Sequence, residues 1–177
     1  VGGQLLSIKG VHGDYEDLFL PLHGEHQASN AATALAAIEV FAGESKLDED
    51  LVRRAFASAT SPGRCEILLR NPTVIIDAAH NPHGANSLRH TIESEFDFDS
   101  VIGIVAVMGD KDTSGILEHF ESIMTTVIIT RNSSHRAAPI EELAASAREV
   151  FGEHRVLIKD SLQSAIDAAI TQAKFEN

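Results

Sequence analysis

Thr73-Val74-Ile75-Ile76-Asp77-Ala78-Ala79-His80-Asn81-Pro82 is the stretch on which the reading of this chain turns. Four consecutive β-favouring residues read as a buried strand. Asp77 closes that strand, and Pro82 prevents the chain from simply continuing in it. A strand that ends in an acid and turns into a helix is the repeating unit of an α/β fold. In such sheets ligands bind at the carboxyl ends of the strands, so Asp77, His80 and Asn81 stand where a site would lie.

Downstream the same rhythm recurs. Strands are expected at 65–69 and 73–77, joined by Asn71-Pro72 as an antiparallel pair, then a helix over 83–95 and a strand over 101–107. A helix over 114–124, a strand over 127–130, a helix over 139–151, a strand over 155–159 and a helix over 162–173 complete the series. The alternation predicts a Rossmann-like, doubly wound, mostly parallel sheet with one antiparallel strand and right-handed crossovers. The next element in the series would be another strand, so a final edge strand is expected to be missing.

Upstream, β-like runs at 4–8 and 15–20 flank Gly10, Gly13 and Asp14, which predicts a hairpin. An alanine-rich helix over 26–42 is expected to be buried through its small residues, and Asp48 caps a second helix that runs to 57. The expected domain division is a hairpin at 1–24, ending a preceding segment, and an α/β domain over 25–177.

Composition narrows the function. A chain of 177 residues with 44% apolar and 23% charged residues can bury a core. The net charge of −12 argues against general nucleic-acid binding, which needs a basic face. Cys65 is the single cysteine, so neither an internal disulfide nor a cysteine-based zinc site can form, which suits a reducing cytoplasm. No apolar run approaches the roughly 18 residues of a membrane span.

Several residues invite chemistry. If Asn71-Pro72 closes a hairpin, Arg64 and Asp77 lie at its open end. There they would either clamp a nucleotide, Arg64 on phosphate and Asp77 on ribose, or form a surface ion pair. His26 and Asn30 share a helix face, and the Asn30 amide would bond either a purine edge or a neighbouring backbone. Asp77, His80 and His83 raise a metal reading, but Asn81-Pro82 breaks the spacing that a compact site wants. His80 is then the better substrate contact, and His83 a solvent-facing residue of a first helical turn. Gly109-Asp110-Lys111-Asp112 and Arg131-Asn132-Ser133-Ser134-His135-Arg136 follow two further strands and should line the same rim. No phosphate loop, dinucleotide fingerprint or nucleophile elbow is present in the sequence.

Four motifs occur in one order: Gly24-Glu25-His26-Gln27 with Asn30-Ala31-Ala32, Pro62-Gly63-Arg64 with Glu66, Asp77-Ala78-Ala79-His80-Asn81-Pro82, and Met108-Gly109-Asp110-Lys111-Asp112. Together they resemble the C-terminal domain of folylpolyglutamate synthase/dihydrofolate synthase, in the Mur-ligase superfamily. The resemblance implies an ATP-dependent ligase that joins L-glutamate to a folate or dihydropteroate carboxylate through an acyl phosphate. It implies a cytoplasmic monomer and an N-terminal ATPase domain carrying the phosphate loop and the Mg²⁺ ligands. By position, Asn30, Arg64 and Asp77 match the family's ATP-contacting residues, and His80 matches a histidine of the glutamate side. The family's final serine-containing strand would follow residue 177, so the chain alone is expected to fold without catalysing. The competing reading is a non-catalytic α/β module that uses the same crevice for a small anion or a protein partner.

Overall fold

The computed structural model describes residues 2–43 and 45–174, which group into two compact units. The first comprises Val1–Leu68 with Ile75–Asp77; the second comprises Leu69–Val74 with Ala78–Asn177.

In the first unit, strands β1 (Gln4–Lys9) and β2 (Asp14–Leu20) form the expected antiparallel hairpin, with Gln4 opposite Leu20 and Lys9 opposite Asp14. Gly10 N–H donates to the Gly13 carbonyl at 2.9 Å and closes the turn. Helices α1 (Glu25–Ala42) and α2 (Glu49–Ala57) follow, and the Asp48 side chain caps α2 by accepting from Leu51 N–H. Tyr15, Leu18, Leu35 and Val52 make the apolar centre. Beside them lies Glu39, fully buried, whose carboxylate accepts from Val11 N–H at 2.6 Å, His12 N–H at 3.1 Å and the Tyr15 hydroxyl at 2.9 Å. Burial pushes this carboxyl up, but those donors and the nearby His12 outweigh it and hold the group below its ordinary value.

Helix α1 corrects one expectation. Only Gln27, Leu35 and Glu39 along it are buried, while Ile38, Val40 and Phe41 are exposed. Alanine favours any helix, inside or out, so its abundance reports helix and not burial.

Strands β3 (Glu66–Arg70) and β4 (Thr73–Ile76) pair as a two-stranded sheet across the cis Asn71-Pro72 bond. The hairpin tip, Leu69–Val74, groups with the second unit. That unit continues with α3 (Pro82–Glu95), β5 (Ile102–Val105), α4 (Thr113–Glu118), β6 (Thr126–Ile129), α5 (Ile140–Phe151), β7 (Val156–Ile158) and α6 (Leu162–Ala173). Strands β5, β6 and β7 form a parallel sheet in that order, with Ile104 opposite Ile128 and Ile128 opposite Leu157.

The sheet is covered on both faces, as the α/β reading requires. Side chains alternate along a strand. Val127 and Ile129 of β6 join the cluster that contains Leu143, Ala147 and Phe151 of α5, while Thr126 on the opposite face accepts from Gln172 of α6 at 2.8 Å. One helix is shorter than expected: α4 stops at Glu118 instead of running to 124. Beyond it, Phe120 N–H reaches Leu117 O and Ile123 N–H reaches Phe120 O in tighter, three-residue turns. Those turns still bury Phe120 and Met124, which is why the apolar spacing resembles a longer helix.

Candidate functional site

The open end of the β3–β4 pair is built by a turn. In Ser61-Pro62-Gly63-Arg64, Arg64 N–H returns to Ser61 O at 3.2 Å, and Gly63 takes the left-handed φ of 70° that the third position of a type II turn requires. The Glu66 carboxylate accepts from Gly63 N–H at 2.8 Å and fixes the turn. Cys65 follows with a φ of 45°, uncommon for a residue with a side chain. This conformation buries its thiol and lets its N–H donate to Asp77 Oδ2 at 2.7 Å. Arg64 is therefore held one residue from the contact that orients Asp77. Its own guanidinium is exposed and makes no hydrogen bond or ion pair among the described residues. The expected surface ion pair between Arg64 and Asp77 does not form.

Asn30 lies on the exposed side of α1, and its amide makes no hydrogen bond among the described residues. The expectation of a buried amide satisfied by backbone does not hold, because the helix around it is not buried. The start of α1 is nonetheless fixed: Gln4 Nε2 donates to the carbonyls of Leu22 and Gly24 at 2.9 Å each, and buried Gln27 has its Nε2 at 3.0 Å from His26 Nε2.

His80 falls in the second unit. It is exposed, with Nδ1 3.1 Å from the Ala78 carbonyl. Asn81 caps α3 by accepting from Gly84 N–H at 2.8 Å, and Pro82 occupies the first helical turn, where its missing N–H costs nothing. His83 is exposed on that turn, as expected. The start of α3 seats closely on the start of α4: a Cβ at Gly115 would lie 2.9 Å from Pro82 Cγ. The His80 segment thus adjoins the 109–112 loop, whose Asp112 caps α4 through Gly115 N–H at 3.0 Å.

The loops that leave β5 and β6 are stitched together. Gly109 N–H donates to Arg136 O at 2.8 Å, Ala138 N–H donates to Val107 O at 2.9 Å, and Met108 bridges Ala137. Across them Arg136 Nη2 donates to Asp110 Oδ2 at 2.7 Å, and Lys111 Nζ stands 3.5 Å from the same oxygen. Burial raises the Asp110 carboxyl, but a backbone N–H, Arg136 and Lys111 together set it below its ordinary value. Sequence reasoning placed both loops on one rim but missed this ion pair, which spans 26 positions and depends on the register of two parallel strands. It missed Glu39 entirely.

Among the described residues, no group of three or more His, Cys, Asp or Glu comes together to hold a metal. No described helix is long and apolar enough to cross a membrane.

A covered parallel sheet with cations and acids at its strand ends defines an α/β protein, a class that takes its ligands at those ends. Residues 63–176 match the family described as Mur ligase, glutamate ligase domain, and the chain belongs to that family. The dihydrofolate synthase/folylpolyglutamate synthase of Mycobacterium tuberculosis is 51% identical over 172 residues, which cover 96% of this chain and 35% of that protein. The Escherichia coli protein of the same name is 35% identical, over 97% of this chain and 38% of its own length. The solved Mycobacterium tuberculosis folylpolyglutamate synthase complexed with ADP and AMPPCP superposes with a TM-score of 0.96 at 50% identity, covering 98% of this chain and 39% of that one. The chain therefore spans between a third and two-fifths of the length of these relatives.

Proposed function

We propose that this chain is the C-terminal part of an ATP-dependent ligase that joins L-glutamate to the carboxylate of a folate or dihydropteroate. Residues 25–177 form its glutamate-ligase portion, and an N-terminal ATPase domain supplies the phosphate loop and the magnesium ligands. The enzyme works as a cytoplasmic monomer. The observation that carries the reading is the tie between Cys65 N–H and Asp77, which orients a carboxylate beside an Arg64 whose guanidinium is uncommitted, within a chain of this family.

A folate carboxylate oxygen attacks the γ-phosphorus of ATP, ADP leaves, and an acyl phosphate forms. The glutamate amine then attacks the acyl carbon, the C–O bond to phosphate breaks, and the amine loses a proton as inorganic phosphate departs. In the first unit, Arg64 donates to phosphate oxygens through its forked N–H groups, Asp77 accepts from ribose hydroxyls, and the Asn30 amide pairs with a purine edge. In the second unit, His80 contacts the amino-acid side.

The test is glutamate-dependent ADP release by the full-length protein. Arg64→Ala is expected to raise the KM for ATP by about 10–100-fold, the usual effect of losing a hydrogen bond to a charged group. Asp77→Ala should act in the same direction, and the isolated chain should show no turnover. Unchanged ATP dependence in both variants would remove the site assignment; a full-length protein that releases no ADP in response to glutamate would remove the ligase reading.

A further inference from the structure

We infer that Glu66 is a positioning residue for the nucleotide: its carboxylate holds Gly63 N–H and so sets the turn from which Arg64 presents its guanidinium. The inference rests on the ATP-side reading of Arg64 above and adds a residue to which that reading gives no task.

Arg64 sits between two left-handed residues, Gly63 at φ 70° and Cys65 at φ 45°. The direction in which its side chain leaves the backbone follows from those two dihedrals. Each N–H of this stretch is taken. Gly63 N–H donates to the Glu66 carboxylate at 2.8 Å, Arg64 N–H to Ser61 O at 3.2 Å, and Cys65 N–H to Asp77 Oδ2 at 2.7 Å. A conformation of this kind persists only where its surroundings over-determine it. Asp77 secures one flank of Arg64, and Glu66 secures the other.

Packing does little for this turn. A Cβ at Gly63 would meet no atom within 4 Å among the described residues, and Pro62 and Arg64 are both exposed. Hydrogen bonds must therefore do what crowding does elsewhere. Glu66 is suited to the task because it is the first residue of β3 and half-buried, so its carboxylate starts from a backbone that the sheet already fixes.

The sign of its charge sets this role apart from a simple electrostatic one. Glu66 places an anion two positions from an arginine assigned to phosphate oxygens. Acting only as a charge, it would repel the nucleotide, and its removal would tighten ATP binding. Acting as the acceptor that fixes the turn, its removal weakens ATP binding. The two roles predict opposite shifts.

The experiment is steady-state kinetics on the full-length protein, with ATP and L-glutamate varied in turn. Glu66→Ala is expected to raise the KM for ATP by about 3–10-fold, the scale of one hydrogen bond, with kcat within about threefold and the KM for L-glutamate unchanged. Glu66→Gln keeps an acceptor oxygen and should bring the KM for ATP back to within about twofold of wild type. Glu66→Asp keeps the charge, falls one methylene short and should resemble the alanine variant. In the Arg64→Ala background, Glu66→Ala should add no further loss, because an absent guanidinium has no position to lose. A KM for ATP that is lowered or unchanged in Glu66→Ala would overturn the inference, as would losses that multiply in the double variant. The two conservative variants guard against a misfolded alanine variant: a wild-type aspartate variant beside an impaired glutamine variant would assign the effect to charge and also overturn it. If Arg64→Ala itself leaves the ATP dependence unaltered, the ATP-side reading falls and takes this inference with it; if only the Glu66 variants do, that reading stands.

Discussion

At the centre of the first unit sits Glu39, gathering two backbone N–H groups and a phenol, whereas the centre of the second is Leu117, Val127, Ile128 and Ile129, without a polar atom among their side chains. Both centres are fully buried, yet they resist different insults. The apolar one is held by area and packing, which hardly respond to pH. The polar one is held by an ionised carboxylate, so its cohesion depends on that proton staying off. This chain thus places a titratable lock in the unit that carries Arg64 and Asp77, and a non-titratable core in the unit that carries His80.

The sharpest way to break this contrast is to hollow the second unit. Leu117→Ala should cost about 2–5 kcal/mol, read from denaturant unfolding, because a fully buried leucine leaves a cavity that the neighbouring strands cannot fill. A loss below that range would mean that the sheet relies on something other than packing.

Glu39→Gln should come next, lowering Tm by about 5–10 °C, since the amide nitrogen must face either the Val11 N–H or the His12 N–H and Tyr15 hydroxyl, a donor against a donor. The same group sets a pH signature. The folded carboxyl lies below its ordinary value of 4.5, so its contribution is complete above the unfolded pKa and is lost as pH falls through the lowered folded value. Hydrogen exchange should therefore show the Val11 and His12 amides losing protection below about pH 4.5, while the β6 amides of the second unit keep theirs over the same range. Equal loss in both units would erase the distinction.

Asn81→Ala is the mildest probe. It removes the cap that Gly84 N–H finds at 2.8 Å and should cost about 1 kcal/mol. Thermal melts that show no change would mean that Pro82 alone starts the helix.

Much of this was legible in the sequence wherever the signal is local. Asp48 caps its helix as its position suggests, Gly10 and Gly13 turn the first hairpin, and Asn71-Pro72 turns the second. The Arg64–Asp77 end was reachable because a short hairpin ties positions 65 and 77 together whatever its fine register. What escaped depends on pairs brought together by tertiary packing. Nothing around Glu39 announces burial, since its partners lie in a turn 27 and 28 positions away. The Asp110–Arg136 link likewise needs two strands in register before the loops can meet. The length of α4 misled for another reason: tight turns and a helix can bury the same apolar residues, and spacing alone does not separate them.

The exposed side of α1 bears on how the chain behaves in a tube. Phe41 is 94% open to solvent, with Ile38 and Val40 exposed nearby on the same helix. Such a stripe draws molecules together at short range, while a charge of −12 keeps them apart at longer range. The colloidal balance between the two shifts with ionic strength, because the Debye length shrinks from about 30 Å in dilute buffer to about 3 Å in molar salt. Dilute buffer, in which the acidic surface is least screened, should favour the dispersed chain.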